Sequence, residues 1–534
     1  MSKPKGLGRG LDALLGGDTA TPVVLEERAV PQPPRELLLS RLQPGRYQPR
    51  TRMDESALQE LAARDAGNDP GTRAGRTDTF VREGEGTRAP YLRDSVIVKF
   101  RDGVDPASAA ALRAMGGRLL ARPDHVDFDL MTIAEDDDPE AVAAALAARP
   151  EVEYAQPRYV NHAMFKPNDQ YYPLQWNFPA IDMERAWDIN KGASSNIVVA
   201  VLDSGVAYRD ALVRYRATAF QLEPGGPIYP ALGTIDVPFA KAPDLGDASR
   251  FVSPRDFIWN DNLPLDLDGH GTHVTGTIGQ ATDNGIGVAG MAFNVKIMPV
   301  KVIAETWDDI FGSPNVGTDD VIAQAIRYAA DNGAHVINMS IGRELGGPAT
   351  AVEDAVRYAV SKGVFVAIAA GNDATTGNRP NRSAEFASRI DGCVAVAAVG
   401  RGLSHAFYST TGSYVEIAAP GGDSRASGSL REGGILQQMV DQDLAATFEL
   451  PPALFKAPRF DAFDYFFIQG TSMATPHVSG FAALLRQQGI TAPAAIEAAM
   501  KRFATDRGAT GRDDEYGAGI IDPRDTLRGL GLSR

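Results

Sequence analysis

From Lys166 onward the chain alternates two kinds of apolar pattern. Short continuous runs rich in Val, Ile and Ala (NIVVAVLDSG, VKIMPVKVI, HVINMSIG, VFVAIAAGN, CVAVAAVG) are what strands buried on both faces require. Between them lie helical patterns such as DDVIAQAIRYAADNG and AVEDAVRYAVSKG, with HGTHVTGTIGQA and SMATPHVSGFAALLRQQG made largely of small residues. Strands alternating with helices predict an α/β fold over residues 166–530, a parallel sheet sandwiched between helices.

Residues 93–163 read differently. SVIVKF alternates as a strand, DPASAAALRAMGG is an Ala-rich helix ended by Gly, and HVDFDLMTI is a second strand. DPEAVAAALAARP forms a second helix with an acidic start and a Pro stop, and VEYAQPRYV supplies the last strand, with room for one more at GRLLAR. This order predicts a small α+β unit, a split βαβ with an antiparallel sheet. Residues 65–92 are polar and Gly-rich and read as a linker. Residues 1–64, with the Pro-rich PQPPRELLLSRLQPGRYQPRTR and a helix-like DESALQELAAR, are expected to be disordered.

Composition narrows the class. Of 534 residues 44% are hydrophobic and 23% charged, close to globular averages, which excludes a largely disordered chain. The net charge of −15 disfavours nucleic acid as a partner. No apolar run approaches the roughly 18 residues that span a bilayer, so no membrane partner is expected, and the chain is expected to be a monomer. The single cysteine, Cys393, excludes an internal disulfide and lies in an apolar run that places it in the core. The basic N-terminus, MSKPKGLGRGLDALLGG, lacks a continuous apolar stretch of about 7–15 residues, so no secretory address is legible.

Histidine is the usual general base near neutral pH, and there are seven. His125, His162, His335 and His405 have no nucleophile motif beside them. His270, in DGHGTHVTGTIG, sits between two glycines at the start of a helix of small residues, whereas His273 falls on the inward turn and reads as structural. Ser472, in GTSMATPHVSG, stands at a tightly packed helix N-terminus, where N–H groups and the helix dipole face any oxyanion formed beside it. Asp203 ends the strand IVVAVLDSG, where a carboxylate can accept an imidazole N–H and stabilise its cation.

VAVLDSGV, DGHGTHVTGTIG and GTSMATPHVSG, in that order, resemble the three active-site motifs of the subtilisin-like serine peptidases, with VINMSIG and AIAAGN between them. The resemblance implies a serine endopeptidase in which Asp203 orients, His270 is general acid and base, Ser472 is the nucleophile and Asn372 donates to the oxyanion. It also implies that Ser340, Ile341 and Gly342 form an extended edge that pairs with the peptide backbone and lines the first specificity pocket. The expected preference is for an apolar or aromatic residue before the scissile bond, unless Glu385, in SAEFAS, reaches the base of that pocket and favours Lys or Arg.

TDNGIGV (282–288) is similar to the family loop that holds a structural Ca²⁺. By that resemblance the Asn284 side chain, the carbonyls of Thr282, Ile286 and Val288 and the Asp210 carboxylate are its ligands. Residues 93–163 resemble the propeptide of these peptidases, an intramolecular chaperone and inhibitor, which implies a zymogen that cuts itself between Tyr159 and Lys166. The family is mostly exported. KGLGRGLDALLGG and LQPGRYQPRTRMDESALQELAA, within residues 1–64, resemble the N-terminus of the ParB chromosome-partitioning family. An alternative reading is therefore an inert or prodomain-blocked fusion acting as a partition or binding adaptor. Two long insertions, TAFQLEPGGPIYPALGTIDVPFAKAPDLGDASRF and DSRASGSLREGGILQQMVDQDLAATFELPPALFKAPRFDAFDYFF, are expected to lie on the surface as loops or small extra elements.

Overall fold

The computed structural model describes residues 81–82, 91–104, 118–120, 122–134, 137–159, 165–445, 448 and 451–529. They fall in two units, one within Glu27–Ala163 and the other within Met164–Arg534. The likeness of residues 1–64 to the ParB family and the helix expected at DPASAAALRAMGG lie outside the described residues.

In the small unit, strand Tyr91–Phe100 runs antiparallel to Val152–Tyr159 along one edge. Its other edge pairs with Asp129–Thr132 and Val81–Arg82. The strand starts ahead of residue 93, because the buried Tyr91 pairs with Tyr159. Helix Pro139–Ala147 begins at Asp138, whose carboxylate accepts the Glu140 N–H, and proline supplies the first turn. Its Ala143 and Leu146 bury against Val96, Val98, Met131 and Val152. The extra strand at GRLLAR reduces to one bridge, Leu119 to Met131.

The large unit is built on seven strands, ordered Ile417–Pro420, Cys393–Val399, Phe365–Ala369, Val336–Met339, Val198–Asp203, Lys296–Lys301 and Arg255–Asp256. Every pair is parallel. Strands Val336–Met339, Phe365–Ala369 and Cys393–Val399 are buried at each residue, as the unbroken apolar runs predict. Helices Asp319–Asp331 and Thr350–Ser361 pack on each other and bury one stripe each, Val321, Ile322, Ala325, Ile326 and Ala329 in the first. Helices His270–Gly279 and Thr471–Gln487 form a second packed pair. From Val198–Asp203 the chain extends the sheet first one way, to Arg255–Asp256 and Lys296–Lys301, and then the other. The carboxyl end of that strand is therefore a topological switch point, where open α/β sheets form their crevice.

The insertions build small extra elements as well as exposed loop. In the second, Ile435–Val440 and Phe463–Ile468 form an antiparallel hairpin whose first strand is buried throughout. The cause lies on the neighbouring helix: His273 Nε2 meets Ile435 O at 3.0 Å and Phe466 O at 3.2 Å, so the ring braces both strands. The first insertion continues the hairpin Ala211–Ala217 with Gly233–Phe239. Its Phe220 and Tyr229 stack on each other and meet Trp307, Phe448 and Phe455 of a second core through tilted and edge-on ring contacts.

Candidate active site

Asp203 closes the first strand of the sheet and is almost fully buried. Its Oδ1 lies 2.6 Å from His270 Nδ1 and also accepts the Ser204 N–H. Such closeness depends on Gly271, where a Cβ would collide with Gly205 O and press on Asp203. Gly269 takes φ +112°, and a Cβ there would strike Met439. Both glycines flanking His270 are thus needed for the approach.

Asp266 anchors this corner, and sequence reasoning missed it. Its Oδ1 accepts from Ser204 Oγ, Asp268 N and Gly269 N, and its Oδ2 from Thr272 N and Thr272 Oγ1, at 2.6–3.1 Å. Ser204 Oγ in turn accepts the Gly271 N–H. One buried carboxylate therefore ties the end of the Asp203 strand to the start of the His270 helix. An aspartate just ahead of a helix is an ordinary capping signal, and it was legible in DLDGHG.

The electrostatics favour a charged imidazole at His270. Burial opposes the cation, but the charge and hydrogen bond of Asp203 outweigh it, with Asp268 and Glu305 adding their charges, and the pKa rises to about 9. Burial holds His273 down at about 3 and His477 at about 4, so both stay neutral. His477 bridges Asn177 and Met473 O inside the core. His270 Nε2 is buried with no hydrogen-bond partner.

Ser472 opens the helix Thr471–Gln487, whose residues are buried as far as Leu485. Its Oγ donates to Ser340 O at 3.0 Å, and Ser340 Oγ donates back to Ser472 O at 2.8 Å. Asn372 Oδ1 accepts both Thr471 N and Thr471 Oγ1 at 2.9 Å, which fixes the amide's orientation at the head of the serine helix. The structure thus joins Asp203 to His270, Asn372 to Thr471, and Ser472 to Ser340.

Residues 194–519 match the Subtilase family (Peptidase_S8), and residues 81–158 match the Fervidolysin N-terminal prodomain. The chain belongs to the subtilase family. It is 33% identical over 434 residues to the thermophilic serine proteinase of Bacillus sp. (strain AK1), covering 80% of this chain and 86% of that one. It is 32% identical over 348 residues to thermitase of Thermoactinomyces vulgaris, covering 65% of this chain and 94% of that one. A solved protease of Pseudoalteromonas arctica PAMC 21717 superposes with a TM-score of 0.51 at 28% identity, covering 68% of this chain and 99% of that one. Fervidolysin from Fervidobacterium pennivorans, at 23% identity and a TM-score of 0.50, covering 84% of this chain and 62% of that one, shares the fold. This subtilase is accordingly a serine endopeptidase with a prodomain, and proteins are its substrates. Both family matches begin beyond residue 64, and they give the ParB likeness no support. Among the described residues no helix is long and apolar enough to cross a membrane.

The remaining site residues separate into two places. Ser340, Ile341 and Gly342 follow strand Val336–Met339 beside Ser472, and Gly342 is exposed. Glu385 is 2.7 Å from Arg382 and forms an ion pair with it, so its carboxylate is not a free charge for a basic substrate side chain.

In the subtilase's 282–288 loop, Asn284 Nδ2 donates to Asp244 Oδ1 at 2.9 Å and Val288 N to Asp244 Oδ2 at 3.0 Å. Asp283 N donates to Asp169 Oδ2 at 2.8 Å, while the buried Asp169 Oδ1 has no partner. Asp210 is not part of this group. It is exposed and accepts the Lys241 N–H, because the first insertion turns away there and brings Asp244 to the loop instead. Burial pushes Asp244 up to about 6 and raises Asp169 as well. Gly287 leaves the cradle open, since a Cβ there would collide with Asp244 and Tyr465. Among the described residues no three His, Cys, Asp or Glu side chains come together to hold a metal. Two buried carboxylates, an amide and neighbouring carbonyls are nevertheless the oxygen-only donor set that suits Ca²⁺.

Proposed function

We propose that this subtilase hydrolyses peptide bonds through Asp203, His270 and Ser472, and that it is made as a zymogen that releases its own propeptide. The observation that carries the reading is the Asp203–His270 Nδ1 bond, which leaves Nε2 as the nitrogen able to take a serine proton. In the free enzyme the Ser472 hydroxyl rests on Ser340 O, so the first event is its rotation from that carbonyl toward His270. Ser472 Oγ then attacks the substrate carbonyl carbon while its proton passes to Nε2, and the imidazolium is stabilised by Asp203. The oxyanion accepts a hydrogen bond from Asn372 Nδ2. His270 returns the proton to the leaving amine as the C–N bond breaks. Water, deprotonated by the same nitrogen, hydrolyses the acyl-enzyme and restores Ser472.

The pairing of Glu385 with Arg382 supports a broad preference for apolar or aromatic residues before the scissile bond. Asp169, Asp244, Asn284 and the carbonyls of Thr282, Ile286 and Val288 would hold a structural Ca²⁺, which supplies charge neutralisation to two buried carboxylates. We place the mature enzyme outside the cell as a monomer. In support, a relative from Xanthomonas campestris, 28% identical over 463 residues, is named an extracellular protease.

Intact-mass measurement of the purified chain with Ca²⁺, beside Ser472→Ala, tests the reading. Wild type is expected to shed a fragment ending between residues 159 and 166, and Ser472→Ala to stay whole. Shedding by both, or by neither, would count against self-cleavage by Ser472.

A further inference from the structure

The parallel ladder between strands Val336–Met339 and Phe365–Ala369 has its last rung at Met339 and Ile368. Beyond that rung the two chains part, one running through Ser340 to Gly342 and the other through Ala370 to Asn372. Strands that separate inside a protein leave carbonyl groups without their ladder partners, and each must be satisfied some other way. Asn381 occupies the gap. Its Nδ2 donates to Ile341 O at 3.1 Å and to Ala369 O at 2.7 Å. Its Oδ1 accepts Arg343 N at 3.2 Å and Ser383 N at 3.0 Å, and its own backbone N–H donates to Ala370 O at 3.3 Å.

The side chain is only 3% exposed, and both donors and both lone pairs of its amide are used. Gly342 lies flat against the amide, where a Cβ would collide with its oxygen, nitrogen and carbon alike. The bonds to Ile341 and Arg343 on one side and to Ala369 and Ala370 on the other, with the close packing of Gly342, thus fix the distance between the two segments. No other side chain bonds to both Ile341 O and Ala369 O among the hydrogen bonds of the described residues.

We propose that Asn381 is a positioning residue that sets the spacing between the substrate-pairing segment Ser340–Gly342 and the oxyanion segment Ala370–Asn372. It thereby sets the width of the slot that takes the side chain before the scissile bond. This rests on the reading of Ser472 as nucleophile. With the amide removed, the slot loses its fixed width, and a large flat side chain loses the two-sided contact that a methyl group never makes.

The test uses Asn381→Ala and, from the opposite side of the contact, Gly342→Ala. Each is assayed on two peptides that differ only in Phe or Ala before the scissile bond, with active sites counted by a fluorophosphonate that labels Ser472. The ratio of kcat/KM for the Phe peptide to that for the Ala peptide is expected to fall by at least about tenfold, through KM for the Phe peptide. A loss of folded enzyme lowers both peptides equally and leaves the ratio alone, so an unchanged ratio overturns the proposal whatever happens to total activity. Should Asn381→Ala fail to fold, the ratio measured on Gly342→Ala decides in the same way. A wild type that neither labels nor cleaves either peptide sinks the nucleophile reading, and this proposal with it.

Discussion

Replacing Asp203 by Asn keeps the size of the side chain and removes the charge that holds His270 protonated. The imidazole rises from 6.5 to about 9 in the folded protein. At about 1.4 kcal/mol per pKa unit, the fold favours the charged ring by on the order of 3 kcal/mol. Because the folded-state pKa lies above the unfolded one, this stability is fully present below about pH 6.5 and is lost as pH rises toward about 9. The proposed proton transfer from Ser472 needs the neutral ring, so wild-type kcat/KM should climb through the same window and level off above about 9. In Asp203→Asn burial remains and the main counter-charge is gone, so the ascending limb moves below the ordinary histidine value. The amide also favours the wrong tautomer, which in a triad of another fold costs about 10⁴ in turnover. The assays are kcat/KM on a chromogenic peptide across pH and thermal melting at about pH 6 and about pH 10. Wild type should melt well above the variant at the lower pH and close to it at the higher. An unmoved limb, or a stability gap independent of pH, would refute the argument that Asp203 controls this proton.

Asn372→Ala should lower kcat with little change in KM. The expected loss of about 10²–10³ is the value known for the corresponding donor of subtilisin, a relative, rather than one worked from this chain. Chelation should lower the melting temperature of wild type, and Asp244→Asn should remove most of that response, as calorimetry with and without Ca²⁺ would reveal; an equal response in both would exclude the site around residues 282–288. Gly271→Ala forces the helix start away from Gly205 and should reduce kcat by more than about tenfold, with fluorophosphonate labelling slowed in proportion.

Much of this was legible in the sequence because the information is local. Uninterrupted runs such as CVAVAAVG fix strands buried on both faces, and the three motifs carry their residues with their own glycines and caps. What escaped depends on where separate stretches meet. Asp210 has the look of a metal ligand from its distance to Asp203, but the path of the first insertion gives that place to Asp244. Nothing in QQMV of the second insertion announces burial, yet Gln437 and Gln438 are buried, with Gln437 donating to Ala289 O and Gln438 accepting the Asp244 N–H. Lys301 is wholly buried, donating to Ser204 O and Leu265 O and paired with Asp308, an arrangement no pattern in VKIMPVKVI announces. Asn381 stands in a Gly- and Asn-rich stretch that reads as an ordinary turn. In each case the signal is a long-range partner, and a single sequence does not name partners.

Ser472 rides on a helix buried from Thr471 through Leu485, packed against the histidine helix and five strands of the sheet. A protease in concentrated solution is surrounded by copies of itself, and its working life is set by self-digestion. Frayed ends and surface loops open often and cheaply, whereas a segment this deep is exposed only when the whole domain lets go. A nick in an outer loop therefore leaves Ser472 in place, and a molecule that has lost the Ser472 helix has lost everything. Ageing of this enzyme should then be all-or-none, each molecule fully competent until the moment it unfolds.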